Sequence, residues 1–400
     1  MFLSVCIITK NEESSIEKCL KSVSEIADEI VILDSFSTDR TTVLAQKYTD
    51  KIYYSDWIDD FSYARNLCIS KAKGKWILII DADEVFHYDR TFLDFLKKAK
   101  EEAYLVFRNE IYRNKSDNKL VSYPVGILRL FVNSGHVKFQ YPIHERLDNY
   151  FIENNIKIGV LQNAFLNHNI FETDDDKIIL KQKYYLEIIH RQLEDIPNDQ
   201  WLLFQKAKTN FFLKKKQESE SDLKRLISDK STDKKIRIAA FVFLSNLYKD
   251  QNEILKSVDL LKQGLDYKKC TLLYLFLGDA FYSDKLYWRA LGCYLRMKTS
   301  PSRMSYNDSM YLISYVEPKD KIFKIASSIY SLGYLWLSKF YLLSFKSKLG
   351  ADSFFLMGLI YLKKNQTIKG LRSLEESIRM DSQWKKPVDL YGSLQKNKGQ

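Results

Sequence analysis

Two kinds of segment alternate along the first 85 residues, and this alternation limits the folds open to the chain. Apolar, β-branched runs predict strands at residues 2–9, 29–34, 51–54 and 76–80. Apolar residues at helical spacing between these runs predict helices at residues 10–23, 40–48 and 61–72. Such alternation favours a doubly wound α/β domain with a parallel sheet. A hydrophobic content of 46% excludes a disordered chain, and only 13 glycines and 6 prolines exclude a collagen-like one.

Polar side chains follow three of the predicted strands. Asn11, Asp34 and Asp81 each come at or just past a strand end. Open α/β sheets bind ligands beyond the carboxyl ends of their strands. The pattern therefore predicts a ligand site at this edge of the sheet.

The segment Asp81-Ala82-Asp83 is the sharpest candidate for chemistry. Two carboxylates at one strand end can hold a divalent cation through one and a ribose hydroxyl through the other. Mg²⁺ and Mn²⁺ prefer oxygen ligands and bridge to diphosphate oxygens. A solvated turn in which Asp83 caps the next segment is the alternative interpretation.

Two arginines are candidates for binding a diphosphate. Arg65 follows the polar segment at residues 60–63, and Arg129 lies in an apolar run. A guanidinium group recognises phosphate oxygens through paired hydrogen bonds. The alternatives are that Arg65 pairs with acids nearby and that Arg129 crosses a strand edge.

From about residue 174 the strand pattern largely stops, and amphipathic helical stretches follow. Three segments share one spacing of aromatic, small and apolar residues, beginning at Phe241, Tyr274 and Phe354. Within the second, Gly278, Phe281, Ala290, Tyr294 and Pro301 hold the characteristic places. This spacing resembles the tetratricopeptide repeat. Residues 201–226 and 304–329 are read as degenerate copies, and a generic helical bundle is the alternative.

Charge separates the two halves of the chain. Residues 1–175 carry 22 lysines and arginines against 27 aspartates and glutamates, whereas residues 176–400 carry 40 against 24. A basic helical half suits nucleic acid, an anionic membrane or an acidic peptide, and a solvated lysine-rich surface is the alternative. Five dispersed cysteines without a CxxC pair fit a reducing, cytoplasmic location. No uncharged run is long enough to predict a transmembrane helix.

Four segments of the first half, in order, resemble a family-2 glycosyltransferase. They are residues 7–13 (IITKNEE), 32–41 (ILDSFSTDRT), 60–66 (DFSYARN) and 80–84 (IDADE). The resemblance implies an α/β GT-A (Rossmann-like) nucleotide-sugar domain at residues 1–175. An all-α tetratricopeptide-like repeat domain at residues 176–400 follows it.

Together with the helical repeats, residues 137–145 and 163–169 resemble the glycosyltransferases that modify bacteriocin precursors, the sublancin-type (glycocin) S-glycosyltransferases. This implies transfer of a hexose, glucose or N-acetylglucosamine, from a UDP-sugar to Cys or Ser of a precursor peptide. Such an enzyme would be metal-dependent and inverting, with Mg²⁺ or Mn²⁺ as cofactor. A family-2 enzyme acting on a cell-surface or lipid-linked saccharide is the alternative.

The resemblance also assigns roles to residues. Asp34 would contact the uracil, Asp81 the uridine, and Arg65 would lie near the nucleotide. Asp83 would hold the metal, with His168 as a further ligand or phosphate contact. The complete set expected to bind the donor is Thr9, Asn11, Glu12, Asp34, Ser35, Arg65, Asp81 and Ala82.

His144 and Glu145 are expected near the acceptor, with Glu145 favoured as the catalytic base. A thiol acceptor needs less activation than a hydroxyl, because a free cysteine is already partly thiolate at neutral pH. The expected partners are a UDP-sugar and a precursor peptide containing Cys or Ser. A homodimer is also expected, and nucleic acid is not.

Overall fold

The computed structural model describes residues 1–113, 120–169, 175–299 and 316–381, together with residue 385. Contacts between Cα atoms divide this chain into two compact units. The first comprises residues 1–215, and the second comprises the described residues from 216 onward.

Within the described part of the first unit, eight strands form one sheet. They are β1 (Leu3–Thr9), β2 (Glu29–Asp34), β3 (Ile52–Tyr54), β4 (Trp76–Ile79), β5 (Glu84–Tyr88), β6 (Ala103–Arg113), β7 (Leu120–Val132) and β8 (Ile158–Asn169). Their order across the sheet is β3-β2-β1-β4-β7-β6-β8-β5.

The sheet is parallel in one half and mixed in the other. Strands β3, β2, β1 and β4 run parallel, as the strand–helix alternation predicts. Strand β7 then pairs antiparallel with β4 and β6, and β5 pairs antiparallel with β8. The prediction of a parallel sheet rested on β1 to β4 and is confirmed for them, whereas the sheet beyond β4 is mixed.

Apolar cores cover both faces of the parallel half. Along β1, Val5 and Ile7 face one core and Cys6 faces the other, since successive side chains of a strand point to opposite faces. The first unit's shorter helices are α1 (Ile16–Val23), α2 (Thr41–Ala45), α3 (Phe61–Ile69), α4 (Phe92–Lys97) and α5 (Asp148–Glu153). Helix α1 packs into the first core, and α3 and α5 pack into the second.

Helix α1 begins later than the predicted range of 10–23. Asn11 adopts a left-handed backbone with φ of 55°, a conformation that Asn tolerates and that breaks a helix. The four apolar positions predicted on its inner face, Ile16, Cys19, Leu20 and Val23, are all buried. The amphipathic spacing therefore located the helix, and a local turn decided where it begins.

Two long helices complete the first unit, α6 (Asp175–Asp195) and α7 (Gln200–Phe212). Strands give way to helices at the predicted place, but the first compact unit continues to residue 215. The division into domains at residues 1–175 and 176–400 stays a prediction.

The described part of the second unit is helical. Its α-helices are α8 (Lys216–Ser228), α9 (Lys234–Asp250), α10 (Ile254–Tyr267), α11 (Thr271–Ser283), α12 (Tyr287–Arg296), α13 (Pro318–Ser331), α14 (Leu335–Ser344), α15 (Ala351–Lys363) and α16 (Thr367–Met380). Successive helices pair across short loops, as the repeat spacing predicts. Pro301 and the first part of the predicted 304–329 repeat lie outside the described residues.

Small residues of the repeat pattern allow close contact between paired helices. A Cβ atom built on Gly278 of α11 would lie 2.4 Å from Cε1 of Tyr294 on α12. Gly358 of α15 approaches Leu374 of α16 in the same way, with 2.6 Å between the built Cβ and Cδ2. The predicted α/β fold followed by helical repeats is confirmed. Among the described residues no helix combines the length and apolar character needed to cross a membrane.

Candidate active site

The carboxyl ends of β1, β2 and β4 bring the first site residues together. In the parallel register, Thr9 of β1 lies beside Asp34 of β2, and the backbone N–H of Ser35 donates to the Thr9 carbonyl at 3.0 Å. Strand β4 ends beside β1 and leads directly into Asp81. The predicted edge of the sheet is thus where these side chains meet.

Asp34 holds the turn that follows β2. Its two carboxylate oxygens accept from the Ser37 N–H at 2.7 Å and the Ser37 hydroxyl at 2.6 Å. Asn11 joins the same turn, because its N–H donates to the Ser37 hydroxyl and its side-chain oxygen accepts from the Thr38 N–H, both at 2.8 Å. Each carboxylate oxygen has a second lone pair, so Asp34 can still accept from a base.

Glu12 and Ala82 contribute mainly through local structure. The Glu12 N–H donates to the Thr41 hydroxyl at 2.7 Å, and the Glu12 carboxylate accepts from Ser15 at 2.7 Å. Ala82 is buried in the first core, between Asp81 and Asp83. Its small side chain lets the two acids project from one short turn.

A buried charge cluster surrounds Asp81. Arg65 Nη2 donates to Asp81 Oδ1 at 2.8 Å, and Arg129 Nη2 donates to Asp81 Oδ2 at 2.7 Å. Burial raises the pKa of Asp81, but the positive charges of Arg129, Arg65 and Arg108 outweigh it and hold the pKa well below the usual range. Asp81 is therefore ionised, and both arginines are fixed by it.

Glu84 supports the same cluster from the start of β5. Its Oε2 accepts from the Asp81 N–H at 2.9 Å, and its Oε1 accepts from Arg108 Nη1 at 3.1 Å. Burial raises the pKa of Glu84, and the negative charge of Asp81 adds to this effect. Glu84 and Arg108 were not predicted as site residues.

Two predicted donor-binding residues retain unused polar atoms. Among the described residues, Arg65 Nη1 and Thr9 Oγ1 are buried and have no hydrogen-bond partner. Such atoms are uncommon in folded proteins, because an unpaired buried donor loses its bonds to water. A ligand that carries oxygen acceptors would satisfy them, as a nucleoside diphosphate does.

Asp83 and His168, the two predicted metal ligands, are neighbours. The distance from His168 Nε2 to Asp83 Oδ2 is 3.2 Å, and His168 Nδ1 lies 2.7 Å from Oε2 of Glu110. The sheet register explains this arrangement, since His168 on β8 pairs with Glu84 on one side and Glu110 on the other. Burial lowers the pKa of His168, but the two carboxylates outweigh burial and raise it to about 9.

These residues fit a divalent cation in part. The described residues contain no cluster of three or more His, Cys, Asp or Glu side chains arranged to hold a metal. Asp83 is 43% exposed, so two protein ligands would leave open positions for diphosphate oxygens and water. Glu110 orients the His168 ring as carboxylates do behind metal-binding histidines.

Glu145, the predicted base, lies inside the charge cluster. Its Oε1 accepts from Arg65 Nε at 2.6 Å, and its side chain is 16% exposed. Arg65 thereby joins Glu145 to Asp81. The alternative that Arg65 pairs with acids on its own helix face does not describe these ion pairs, because Asp81 follows β4 and Glu145 precedes α5.

His144 has a different environment from Glu145. Its side chain is half-buried, and its ring meets the Tyr185 ring edge-on, with 5.8 Å between ring centroids. Burial lowers the pKa of His144 to about 3, and the charges of Lys208 and Lys181 act in the same direction. His144 is therefore neutral at pH 7, and its backbone carbonyl accepts from Trp201 Nε1 at 3.2 Å.

Helix α6 contributes side chains that the sequence analysis assigned to the repeats. Lys181 Nζ lies 5.6 Å from the centre of the Tyr185 ring, and that ring meets the His144 ring edge-on. Burial raises the pKa of Tyr185, and Glu145 and Asp81 are among the charges that act on it. The spacing of apolar residues does not reveal that α6 lies beside the site, because helices of the repeats show the same spacing.

The structure thus brings Arg65, Asp81 and Glu145 into one cluster and Asp83 and His168 into another. Glu110 and Arg108 complete these clusters without having been predicted. The roles of the predicted residues toward donor, metal and acceptor stay predictions.

Comparison with known proteins shows what the first half of the chain resembles. Residues 4–174 match the model of glycosyl transferase family 2. The glycosyltransferase SunS of Bacillus subtilis is 32% identical over 256 residues, which are 62% of this chain and 58% of SunS. A TPR repeat-containing protein of Synechococcus elongatus is 32% identical over 211 residues, half of each chain. The chain thus spans about half to three fifths of the length of these relatives.

Among solved structures, Staphylococcus aureus TarS 1–349 in complex with UDP is 15% identical, with a TM-score of 0.36. The match covers 71% of this chain and 88% of that one. The family model covers the strands β1 to β8 and both charge clusters. Residues 4–174 are therefore similar to glycosyl transferase family 2 over the whole sheet of the first unit.

Proposed function

We propose that the protein is a metal-dependent, inverting glycosyltransferase that moves a hexose from a UDP-sugar to a peptide. The acceptor atom is a Cys thiol, with a Ser hydroxyl as a second possibility, and the acceptor is a bacteriocin precursor. The observation that supports this most is the buried Arg65, whose Nη1 is unpaired while its other nitrogens bind Asp81 and Glu145.

Arg65 and Thr9 would bind the donor. The unpaired Arg65 Nη1 donates to a diphosphate oxygen, and the Thr9 hydroxyl bonds the nucleotide. Asp34 and Asp81 accept from the uridine. Asp83 and His168 would hold Mg²⁺ or Mn²⁺, whose positive charge stabilises the leaving diphosphate.

Glu145 would act on the acceptor. Among the described residues its Oε1 is bound to Arg65, and no hydrogen bond is made to its Oε2. That oxygen takes the proton of the thiol as sulfur bonds to the anomeric carbon. The bond from that carbon to the diphosphate oxygen breaks, its electron pair leaves with UDP, and the configuration at the carbon inverts.

The likeness to the glycosyltransferase SunS supports glycosyl transfer, and the helical repeats of the second unit offer a surface for a peptide acceptor. A reducing cytoplasm would keep the acceptor thiol available. All five cysteines of the chain itself are free thiols. The predicted homodimer stays a prediction.

The test is the intact mass of candidate precursor peptides after incubation with UDP-glucose or UDP-N-acetylglucosamine and Mg²⁺ or Mn²⁺. A mass increase of one or more hexose units with UDP-glucose, or of N-acetylhexosamine units with UDP-N-acetylglucosamine, on a Cys peptide supports the proposal. Full activity after treatment with a chelator contradicts the metal role. Transfer to a lipid-linked saccharide, with none to peptides, contradicts peptide acceptance and favours the alternative acceptor class.

A further inference from the structure

The second unit contains a cavity of about 260 Å³ that the proposed chemistry does not use. It is formed by α9, α11, α12 and α13. Three of these are the first helices of successive pairs, and each contributes side chains to the cavity wall. A ligand that crosses consecutive pairs would therefore pass over it.

Aromatic side chains form much of the cavity wall. Tyr282, Tyr294 and Phe323 line it from three different helices. The Tyr282 hydroxyl lies 2.7 Å from the Ser327 hydroxyl, so its ring is held in place. Tyr294 is almost completely buried and donates to Asp279 at 2.7 Å. The wall is consequently a preformed surface rather than a set of mobile side chains.

The charges in the cavity do not balance. Lys324 Nζ donates to Asp279 at 2.6 Å, and its ammonium also lies 5.4 Å from the centre of the Tyr294 ring. Asp279 and Lys324 therefore compensate each other. Lys249, in the last turn of α9, is exposed and makes no ion pair with any described residue. One ammonium group beside aromatic walls remains for a ligand.

We propose that this cavity binds an acidic side chain of the acceptor peptide, with its carboxylate on Lys249. The inference rests on the proposed function, because it names the part of the chain that recognises that peptide. The excess of 40 basic over 24 acidic residues at positions 176–400 favours an acidic ligand. Rigid aromatic walls favour a peptide that carries apolar residues next to its acidic ones.

Peptide binding to the full-length protein tests the inference without any sugar donor. The probes are two fluorescein-labelled peptides of twelve residues, one made of glutamate and tyrosine and the other of lysine and tyrosine. Fluorescence anisotropy at low ionic strength gives the Kd of each. We expect the wild-type protein to prefer the glutamate peptide by roughly tenfold or more, the scale of one charged contact.

Two charge-reversal variants distinguish binding in the cavity from attraction by the general positive charge of the unit. Lys249→Glu should weaken binding of the glutamate peptide by about tenfold or more and strengthen binding of the lysine peptide. The matched control is Lys369→Glu, an exposed lysine on α16 outside the cavity, which should change either Kd by less than about twofold. Lys249→Met provides a variant without a new charge and should also weaken binding of the glutamate peptide.

Equal losses in the Lys249 and Lys369 variants overturn the inference, as does equal binding of both probes by the wild-type protein. The proposed function fails separately. If binding depends on Lys249 but no peptide gains a sugar, the cavity is a peptide site and the transfer proposal is wrong. If peptides gain a sugar while binding ignores Lys249, transfer stands and this cavity does not recognise the acceptor.

Discussion

Arg65 Nε donates to Glu145 Oε1 at 2.6 Å, so the carboxylate predicted as the catalytic base is one half of a buried ion pair. The pair joins helix α3 to the loop before α5. The hydrogen bond fixes Oε1 of Glu145. Because the carboxylate is rigid, the direction of Oε2 is fixed as well. A base held in this way reaches the acceptor without searching among rotamers, which is a condition for efficient proton transfer.

Replacing Glu145 by Gln should slow transfer while leaving UDP-sugar binding nearly unchanged. The amide oxygen can still accept from Arg65, but the side chain can no longer take a proton. We expect a loss of roughly 10²–10⁴-fold in kcat for a Ser acceptor and a smaller loss for Cys, whose thiol ionises more readily. The measurement compares two peptides that differ only in Cys or Ser at the acceptor position.

Glu153→Gln is the control for this experiment, because Glu153 is an exposed acid on the adjacent helix α5. It should leave both rates unchanged. An equal, small loss on both peptides in Glu145→Gln would remove Glu145 from the base role. A loss of donor binding would instead make it a structural partner of Arg65.

Replacing Glu110 by Gln should weaken metal binding although Glu110 is not a proposed ligand. Glu110 Oε2 lies 2.7 Å from His168 Nδ1 and sets the orientation of the ring toward Asp83. Loss of such a partner typically weakens metal affinity by about 10–100-fold. The Mn²⁺ concentration that half-saturates UDP binding measures the effect. Transfer at saturating Mn²⁺ should recover substantially, whereas unchanged Mn²⁺ dependence would contradict the role.

Replacing Lys181 by Met should weaken donor binding. Lys181 belongs to helix α6, and its Nζ lies 5.6 Å from the centre of the Tyr185 ring, which packs against the His144 ring. If it contacts the diphosphate, its loss should raise the Kd of UDP by roughly tenfold. Lys183→Met on the same helix is the control, since it removes the same charge two residues away. Equal effects of the two substitutions would reduce the role of Lys181 to general charge.

Glu29 should make the stability of the first unit depend on pH. The Glu29 side chain accepts from the N–H groups of Lys73 and Gly74 and pairs with Lys51. Burial raises the pKa of Glu29, but these bonds outweigh burial and lower it from 4.5 to about 2. A lowered pKa stabilises the folded state above pH 4.5, and this contribution is lost as the pH falls toward 2.

Glu29→Gln should therefore destabilise the protein at pH 7 by roughly 2–3 kcal/mol, and by progressively less below pH 4.5. Urea unfolding followed by circular dichroism at several pH values measures the difference. The control is Glu17→Gln, which removes an exposed pair with Lys47 and should cost less than about 0.5 kcal/mol. A pH-independent difference between wild type and Glu29→Gln would contradict the assignment.

Two glycines on neighbouring helices test the packing of the repeats. A Cβ at Gly278 would lie 2.4 Å from the buried Tyr294 ring, so Gly278→Ala should destabilise the second unit by roughly 1–3 kcal/mol. At Gly292 of α12 the nearest atom would be 3.4 Å away, at the end of the flexible Arg296 side chain. Gly292→Ala should stabilise the helix by about 0.5–1 kcal/mol. Thermal melting of both variants measures these effects. Equal destabilisation by the two substitutions would contradict the close contact between Gly278 and Tyr294.

Local patterns in the sequence determined the individual elements and the polar ends of the strands. Strand β2 occupies the predicted residues 29–34, because a continuous apolar run buried on both faces carries its own boundaries. Asp81 and Asp83 follow β4 at the predicted edge. The family motifs also lie in such short segments: three of them lie at a strand end and its turn, and the fourth, residues 60–66, begins helix α3.

Only the tertiary structure decided how distant charges pair. Arg65 and Glu145 are 80 residues apart, and His168 meets Asp83 across 85 residues. These pairs depend on the register of β8 between β5 and β6 and on the packing of α3. A one-residue shift of a strand would turn His168 to the opposite face of the sheet. The sequence carries the periodicity that forms each strand, but the choice of partner strand arises from burial and charge summed over the whole domain.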